Sequence, residues 1–266
     1  FKFLKTKDVI TIGAIDAIIS SDLRFSNKKL LPDYIVVPDI EILEEYKPKL
    51  LQCKFILSGH LQWIEIINKR EKLHSRRSQF QSKFFSDLEK KSKKIFFISE
   101  PPPPLENNYF PENFLGYGDT NERTNICFQE IKKALDKLNV NYHLIFKLHP
   151  KDNFNNYKSF KNMVYEFVTD TRDNLARMMA SDLVIGMTSN LLFQSFLLGI
   201  PTISVSLSSR EKKLIPYIFR DKLNSASNRK ELEMQIENNL EKYKFNNVNI
   251  ELDVYKSKIK NLLMSL

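Results

Sequence analysis

The chain predicts an α/β protein built on a doubly wound parallel sheet. Three observations lead there. Short apolar, β-rich runs alternate with stretches of helical periodicity through most of the 266 residues. Only six glycines occur, and Gly13, Gly59 and Gly186 each close such a run, where a chain turning from strand into loop needs backbone freedom. Gly199 followed by Pro201 punctuates the end of a helix and the start of the next strand.

Taken in order, residues 8–12 and Tyr34–Val37 read as short buried strands, the second bracketed by Pro32 and Pro38. A short helix at Ile40–Tyr46 and a strand at Lys54–Leu57 follow, the latter ending in Gly59-His60. Residues 61–68 continue as a helix, and a long polar helix is expected over 78–91. The run Lys94 to Ser99 is a strand, stopped by Glu100 and by Pro101 to Pro104, because four prolines extend neither sheet nor helix. Residues 101–121 are therefore a long connection. Beyond it the alternation is clean: helix 122–138, strand 143–148, a short strand at 165–168, helix Asn174–Ala180, strand 182–187, a helix to Leu198, and strand 201–205. Residues 228–243 and 253–265 read as helical tails.

This pattern divides the chain into a partial α/β unit at 1–60, linking helices at 61–93, a complete α/β domain at 94–225 and C-terminal helices at 226–266. The first residue is Phe and no leader pattern follows it, so the N-terminal part reads as short or truncated.

Composition excludes several classes. No run approaches the roughly 18 apolar residues of a membrane span. Two cysteines, Cys53 and Cys127, make neither a disulfide framework nor a zinc site. The four histidines show no ligand spacing, so no metal and no cofactor is expected. A net charge of +9 could serve nucleic acid, but no Arg-rich stripe or recognition motif accompanies it, and no nucleic-acid partner is expected. A basic face resting on an anionic membrane surface is the remaining use of that charge.

In an open parallel sheet, ligands bind beyond the carboxyl ends of the strands, where strand order reverses. Residues just after strands are therefore the candidates: Asp16, His60, Ser99-Glu100, His149-Pro150-Lys151 and Thr188-Ser189-Asn190. The run Gly186-Met187-Thr188-Ser189-Asn190 turns a strand into a helix through hydroxyl residues. A helix start offers unpaired N–H groups and about half a positive charge, which suits a phosphate; plain N-capping uses the same residue types. Lys147-Leu148-His149-Pro150-Lys151 puts an imidazole at a strand end, with lysines beside it that can add charge. A structural His closing a strand has the same appearance.

The order of these pieces resembles the C-terminal nucleotide-binding domain of GT-B glycosyltransferases, in the style of bacterial surface-polysaccharide enzymes: sialyltransferase-like, capsule and CDP-glycerol glycerophosphotransferase-like proteins. The pieces are His149-Pro150, then Asp182 to Gly186, Thr188-Ser189, Gln194 and Gly199-Ile200-Pro201, preceded by Pro32 to Pro38 and Phe55 to His60. The resemblance covers about residues 30–220. It implies that Lys147, His149, Pro150, Lys151, Gly186, Thr188, Ser189 and Asn190 surround the phosphates of a CMP-, CDP- or UDP-linked sugar. Gln194 stands where many such enzymes carry a ribose-gripping Glu. It also implies metal-independent transfer to a glycan or lipid-linked acceptor, with Asp16 or His60 as the base, in a cytoplasmic protein working at the inner face of the cell membrane. A polyol-phosphate transferase, a sugar-nucleotide epimerase and a noncatalytic nucleotide-binding remnant are the alternatives.

Overall fold

The computed structural model describes residues 9–15, 27, 30–100, 112–117, 122–241, 245 and 264. In chain order, β1 (Ile12–Ala14), β2 (Tyr34–Val37), α1 (Ile40–Tyr46), β3 (Lys54–Leu57), α2 (Leu61–His74), α3 (Arg77–Phe85) and β4 (Lys93–Ile98) come first. Then follow α4 (Arg123–Lys137), β5 (Tyr142–Lys147), a 3₁₀ segment (Phe154–Met163), β6 (Glu166–Val168), α5 (Asn174–Ala180), β7 (Leu183–Gly186) and α6 (Asn190–Leu197). The last elements are β8 (Thr202–Val205), α7 (Ser209–Lys212), α8 (Tyr217–Arg220), β9 (Asn224–Ala226) and α9 (Arg229–Glu241). The chain forms two compact units. One gathers Phe1–Ile67, Pro216–Arg220 and Asn249–Leu266, and the other gathers Asn68–Ile215 and Asp221–Val248.

The first unit holds a parallel sheet in the order β1-β2-β3. Asp33 anchors its entry: one carboxylate oxygen accepts from the Thr11 N–H at 2.8 Å and from the Thr11 hydroxyl at 2.6 Å. Asp39 caps α1 through the Glu41 N–H and also accepts from the Tyr217 N–H at 3.0 Å, joining α8 to the start of α1. Burial pushes the Asp39 carboxyl above its ordinary value. Ile35, Val37, Ile42 and Tyr46 form the apolar side.

The second unit is a six-stranded, wholly parallel sheet in the order β6-β5-β4-β7-β8-β9. The chain builds outward from β4 to β6, returns to the other side of β4, and builds outward again to β9. The reversal falls between β4 and β7, the place where loops diverge and leave a crevice. Alternation along the strands divides the two faces. Ile95, Phe97, Leu144, Phe146, Leu183, Ile185, Ile203 and Val205 point into one cluster with Ile131 and Leu135 of α4 and Leu232 and Ile236 of α9. Phe97 meets Phe146 edge-on with ring centroids 5.0 Å apart, and Phe128 stacks on Phe160 of the 3₁₀ segment at 4.3 Å. Each such ring contributes on the order of 1.5–3 kcal/mol by burial.

The opposite face carries Phe96, Ile98, Val184, Gly186, Thr202 and Ser204, and α6 lies over it. The Thr202 and Ser195 hydroxyls are 2.7 Å apart, and the Ser204 hydroxyl donates to the Met187 carbonyl at 2.6 Å. A Cβ at Gly186 would come within 3.3 Å of Leu192 on α6 and of Ile98, so glycine lets helix and strand approach. Gly199, at φ +78°, ends α6 in the left-handed region.

The turn between α2 and α3 clamps the far ends of two helices. Arg77 donates to the Met179 carbonyl in the last turn of α5 and to the Ser181 carbonyl just beyond it, and pairs with Asp182 at 2.9 Å. The His74 imidazole meets the Leu198 carbonyl, 2.5 Å away, at the end of α6.

Several sequence boundaries move. The first strand occupies Ile12–Ala14 rather than 8–12, because its partner register is fixed by Tyr34 and Val36. The long polar helix breaks after Phe85, and the Ser92 hydroxyl and Lys94 ammonium tie down the turn by bonding Glu89 O, Lys94 at 2.9 Å. Lys94 and Arg77 are buried or half-buried and spent on carbonyls. Residues 101–104 and 253–263 lie outside the described residues. Cys53 and Cys127 are buried free thiols. Among the described residues, no helix is long and apolar enough to cross a membrane.

Candidate functional site

Four loops leave the carboxyl edge of the second unit's sheet around the reversal: Ser99-Glu100 after β4, Leu148-His149 after β5, Met187-Thr188-Ser189 after β7, and Ser206-Leu207 after β8. Hydrogen bonds stitch them together. The Ser99 hydroxyl accepts from the His149 N–H at 2.8 Å and donates to Asp152 at 2.6 Å. The next residue reaches the other way: the Glu100 carboxylate accepts from the Thr188 N–H and the Thr188 hydroxyl, both at 2.7 Å. His149 and Thr188 thus sit on the two sides of β4 on one edge of the sheet, two strand spacings or roughly 10 Å apart.

Beneath Glu100 lies Arg123, 1% exposed at the start of α4. Its guanidinium is 3.4 Å from Glu100 Oε1, donates to the Thr188 hydroxyl at 3.4 Å, and pairs with Glu211. Glu211 in turn accepts from the Leu207 N–H at 2.7 Å. One buried cation and two buried carboxylates therefore hold the β7–α6 and β8–α7 loops in fixed relation. Unpaired, any of these charges would cost several kcal/mol at this depth.

The sequence candidates take distinct places. Ser189 is the N-cap of α6, its hydroxyl accepting from the Leu192 N–H at 3.3 Å. Asn190 opens the helix, and Gln194 follows one turn later; both are half-buried. The eight residues of α6 present their first-turn N–H groups to this edge. Thr188 is buried and both its donors serve Glu100, so an internal carboxylate occupies donors that the sequence assigned to a phosphate. His149 is half-buried. Its Nδ1 accepts from the Lys151 N–H at 3.1 Å, which places the proton of the neutral ring on Nε2. Burial holds the imidazole below its ordinary pKa, against the pull of Asp152 and Glu100. Pro150 and Lys151 are exposed beside it. Lys147 is 2% exposed, and its ammonium donates to the Leu148 carbonyl at 2.7 Å and to the Val168 carbonyl at 3.4 Å. Burial lowers its pKa.

His60 belongs to the first unit, where its ring stacks on Trp63 with centroids 4.8 Å apart. Asp16 lies outside the described residues. No three His, Cys, Asp or Glu among the described residues cluster in a way that could hold a metal ion.

Sequence reading placed Glu100 among the candidates after the strands but missed Arg123 and Glu211. One signal was available: Ser208-Ser209-Arg210-Glu211 has the Ser-x-x-Glu spacing of a capping box, and the Ser208 hydroxyl accepts from the Glu211 N–H. Nothing in the local sequence marks Arg123, whose partners lie 88 positions downstream at Glu211 and across the sheet at Glu100.

The chain matches no protein-family model, and no curated protein is close enough in sequence to count as a relative. Solved structures share its fold. The crystal structure of UDP-GlcNAc 2-epimerase from Neisseria meningitidis bound to UDP-GlcNAc aligns over 98% of this chain and 71% of its own, at 14% identity and a TM-score of 0.57. A wall teichoic acid polymerase TagF variant soaked with CDPG aligns over 91% of this chain and 61% of its own, at 12% identity and a TM-score of 0.45. The Thermosulfurimonas dismutans KpsC beta Kdo 2,4 transferase aligns over 73% and 55%, at 13% identity and a TM-score of 0.36. Against the TagF structures, the chain spans between half and two thirds of their length. The doubly wound α/β architecture expected from the sequence is the one observed, and the epimerase shares it.

Proposed function

We propose that this protein is a glycosyltransferase of bacterial surface-polysaccharide synthesis, taking a sugar from a nucleotide-activated donor. The observation that supports the reading is that the α6 first turn and a half-buried imidazole whose proton sits on Nε2 lie on the same carboxyl edge of the sheet, on the two sides of β4. The fold shared with an epimerase that binds UDP-GlcNAc supports it as an architecture suited to such donors.

In this reading the donor phosphates lie over the start of α6. The N–H groups of its first turn and the helix's partial positive charge meet the phosphate oxygens. His149 Nε2–H donates to the same group from across β4, and Lys151 adds charge at the rim. Glu100 shapes the Thr188-Ser189 turn so that these N–H groups point outward, and Lys147 holds the Leu148 carbonyl just before the imidazole. Gln194 offers an amide to ribose hydroxyls. When the bond between the sugar carbon and the phosphate oxygen breaks, its electron pair goes to the phosphate, and donors already aimed there stabilise the added charge more than they stabilise the ground state. The acceptor oxygen forms the new bond and its proton passes to a base, for which Asp16 and His60 are the proposed groups.

The test is calorimetry of CMP, CDP and UDP with the wild-type chain and with His149→Ala. Loss of one charge-assisted hydrogen bond lowers affinity for the preferred nucleotide about tenfold or more, with the thermal melt unchanged. Equal affinity in the two proteins removes His149 from the site, and absence of binding by the wild type removes the reading.

A further inference from the structure

Along β8, the side chains facing α6 are Thr202, Ser204 and, by the same alternation, Ser206. The alternation holds past the end of the strand. The Ser206 N–H still donates to the Ala226 carbonyl at 2.9 Å, and Leu207 joins Val205 in the opposite cluster. The first two hydroxyls are matched: Thr202 with Ser195 of α6, and Ser204 with the carbonyl of Met187, in the turn that opens α6. The third is not. Ser206 is fully buried, and among the described residues its hydroxyl has no hydrogen-bond partner.

Each step of two residues moves about 6.6 Å along a strand. Ser204 already reaches the turn before α6, so Ser206 lies one step further toward the space over the helix's first turn. Glu211 fixes its loop through the adjacent Leu207 N–H, so its position is not left to chance. A buried hydroxyl without a partner is costly and uncommon, and it calls for something that meets it.

We infer that Ser206 is a ligand-binding residue whose hydroxyl completes the anion site at the start of α6, donating to a phosphate oxygen of a nucleoside diphosphate. The inference rests on the functional reading above and adds a contact from a third strand, β8, to those from β5 and β7. A phosphate oxygen then receives donors from the helix turn, from His149 and from Ser206.

The test compares Ser206→Ala with the wild type, using CDP, UDP and inorganic pyrophosphate as probes in calorimetry, together with thermal melts without ligand. Removing a hydroxyl that nothing meets leaves the melting temperature unchanged or raises it by about 2–4 °C. The same change lowers affinity for the bound nucleotide about tenfold or more. Ser204→Ala serves as the contrast in the melts, because it strips a hydroxyl that is in use and lowers the melting temperature. Ser206→Cys, of similar size and a weaker donor, shows the same direction of affinity loss if the alanine variant proves hard to produce. Wild-type binding with undiminished binding by Ser206→Ala overturns this inference alone. A lowered melting temperature in Ser206→Ala also overturns it, since the hydroxyl then serves the fold. Wild-type protein that binds none of the probes overturns both this inference and the functional reading.

Discussion

Replacing Arg123 with Met isolates the buried charge group under the candidate site. The guanidinium is 1% exposed, and it contacts Glu100, Glu211 and the Thr188 hydroxyl. Methionine fills much of the volume, so the loss is electrostatic more than steric. Two carboxylates, 8% and 3% exposed, would lose this cation while keeping the N–H groups of Thr188 and Leu207 and the Thr188 hydroxyl. Breaking a buried pair from one side costs about 3–5 kcal/mol. Against a total stability of about 5–15 kcal/mol, that is a large fraction, and for a unit of this size it lowers the melting temperature on the order of 10 °C. Urea titration followed by circular dichroism measures it directly. Adding Glu100→Gln and Glu211→Gln to Arg123→Met removes the stranded charges and should recover much of the loss. A cost below about 1 kcal/mol for Arg123→Met, or a triple variant no more stable than the single one, refutes the idea that this cation holds the two loops together.

Two further predictions concern stability alone. Gly199→Ala forces a side chain into the left-handed region at φ +78° and costs about 1 kcal/mol or more in the same titration; a neutral result would mean the end of α6 relaxes. Glu130 is fully buried, and although burial pushes its carboxyl up, bonds from Arg229, Tyr117 and Lys133 hold it below its ordinary value. A lowered folded pKa means that the unfolded chain binds the proton more readily, so this stabilisation is present above about pH 4.5 and is lost as pH falls below it. Arg229→Met should therefore cost about 1–3 kcal/mol at pH 7, discounted because Arg229 is 44% exposed, and progressively less below pH 4.5. A cost that does not change with pH would place the effect in packing rather than charge.

The strands and most helices were legible because their signals are local. Tyr34–Val37, Ile40–Tyr46, Lys54–Leu57 and Asn174–Ala180 fall where periodicity and punctuation put them. β9 escaped notice because Asn224-Ser225-Ala226 carries no β-rich run; it pairs only because Val205 and its neighbours offer an edge. The 3₁₀ segment is polar in sequence and is held by Tyr157 and Phe160 entering the core. At the site, the residue types after each strand could be read, but their assignments to one another could not. Thr188 reads as a phosphate donor until Glu100, 88 positions earlier, is seen holding both its N–H and its hydroxyl. Ser206 reads as one serine among several, since burial without a partner is a property of three dimensions only.

The grip of His74 and Arg77 on the rear of α6 and α5 has a bearing on how quickly the opposite tip can respond to charge. A rod pinned at its tail does not tilt when an ion lands at its head. Solvent around an ion must spend energy turning to face it; in the proposed site, amides set in a fixed rod have already turned during folding, so that reorganisation would be smaller. The anchoring contacts of this fold thus stand a full helix length from the place where their effect would be felt.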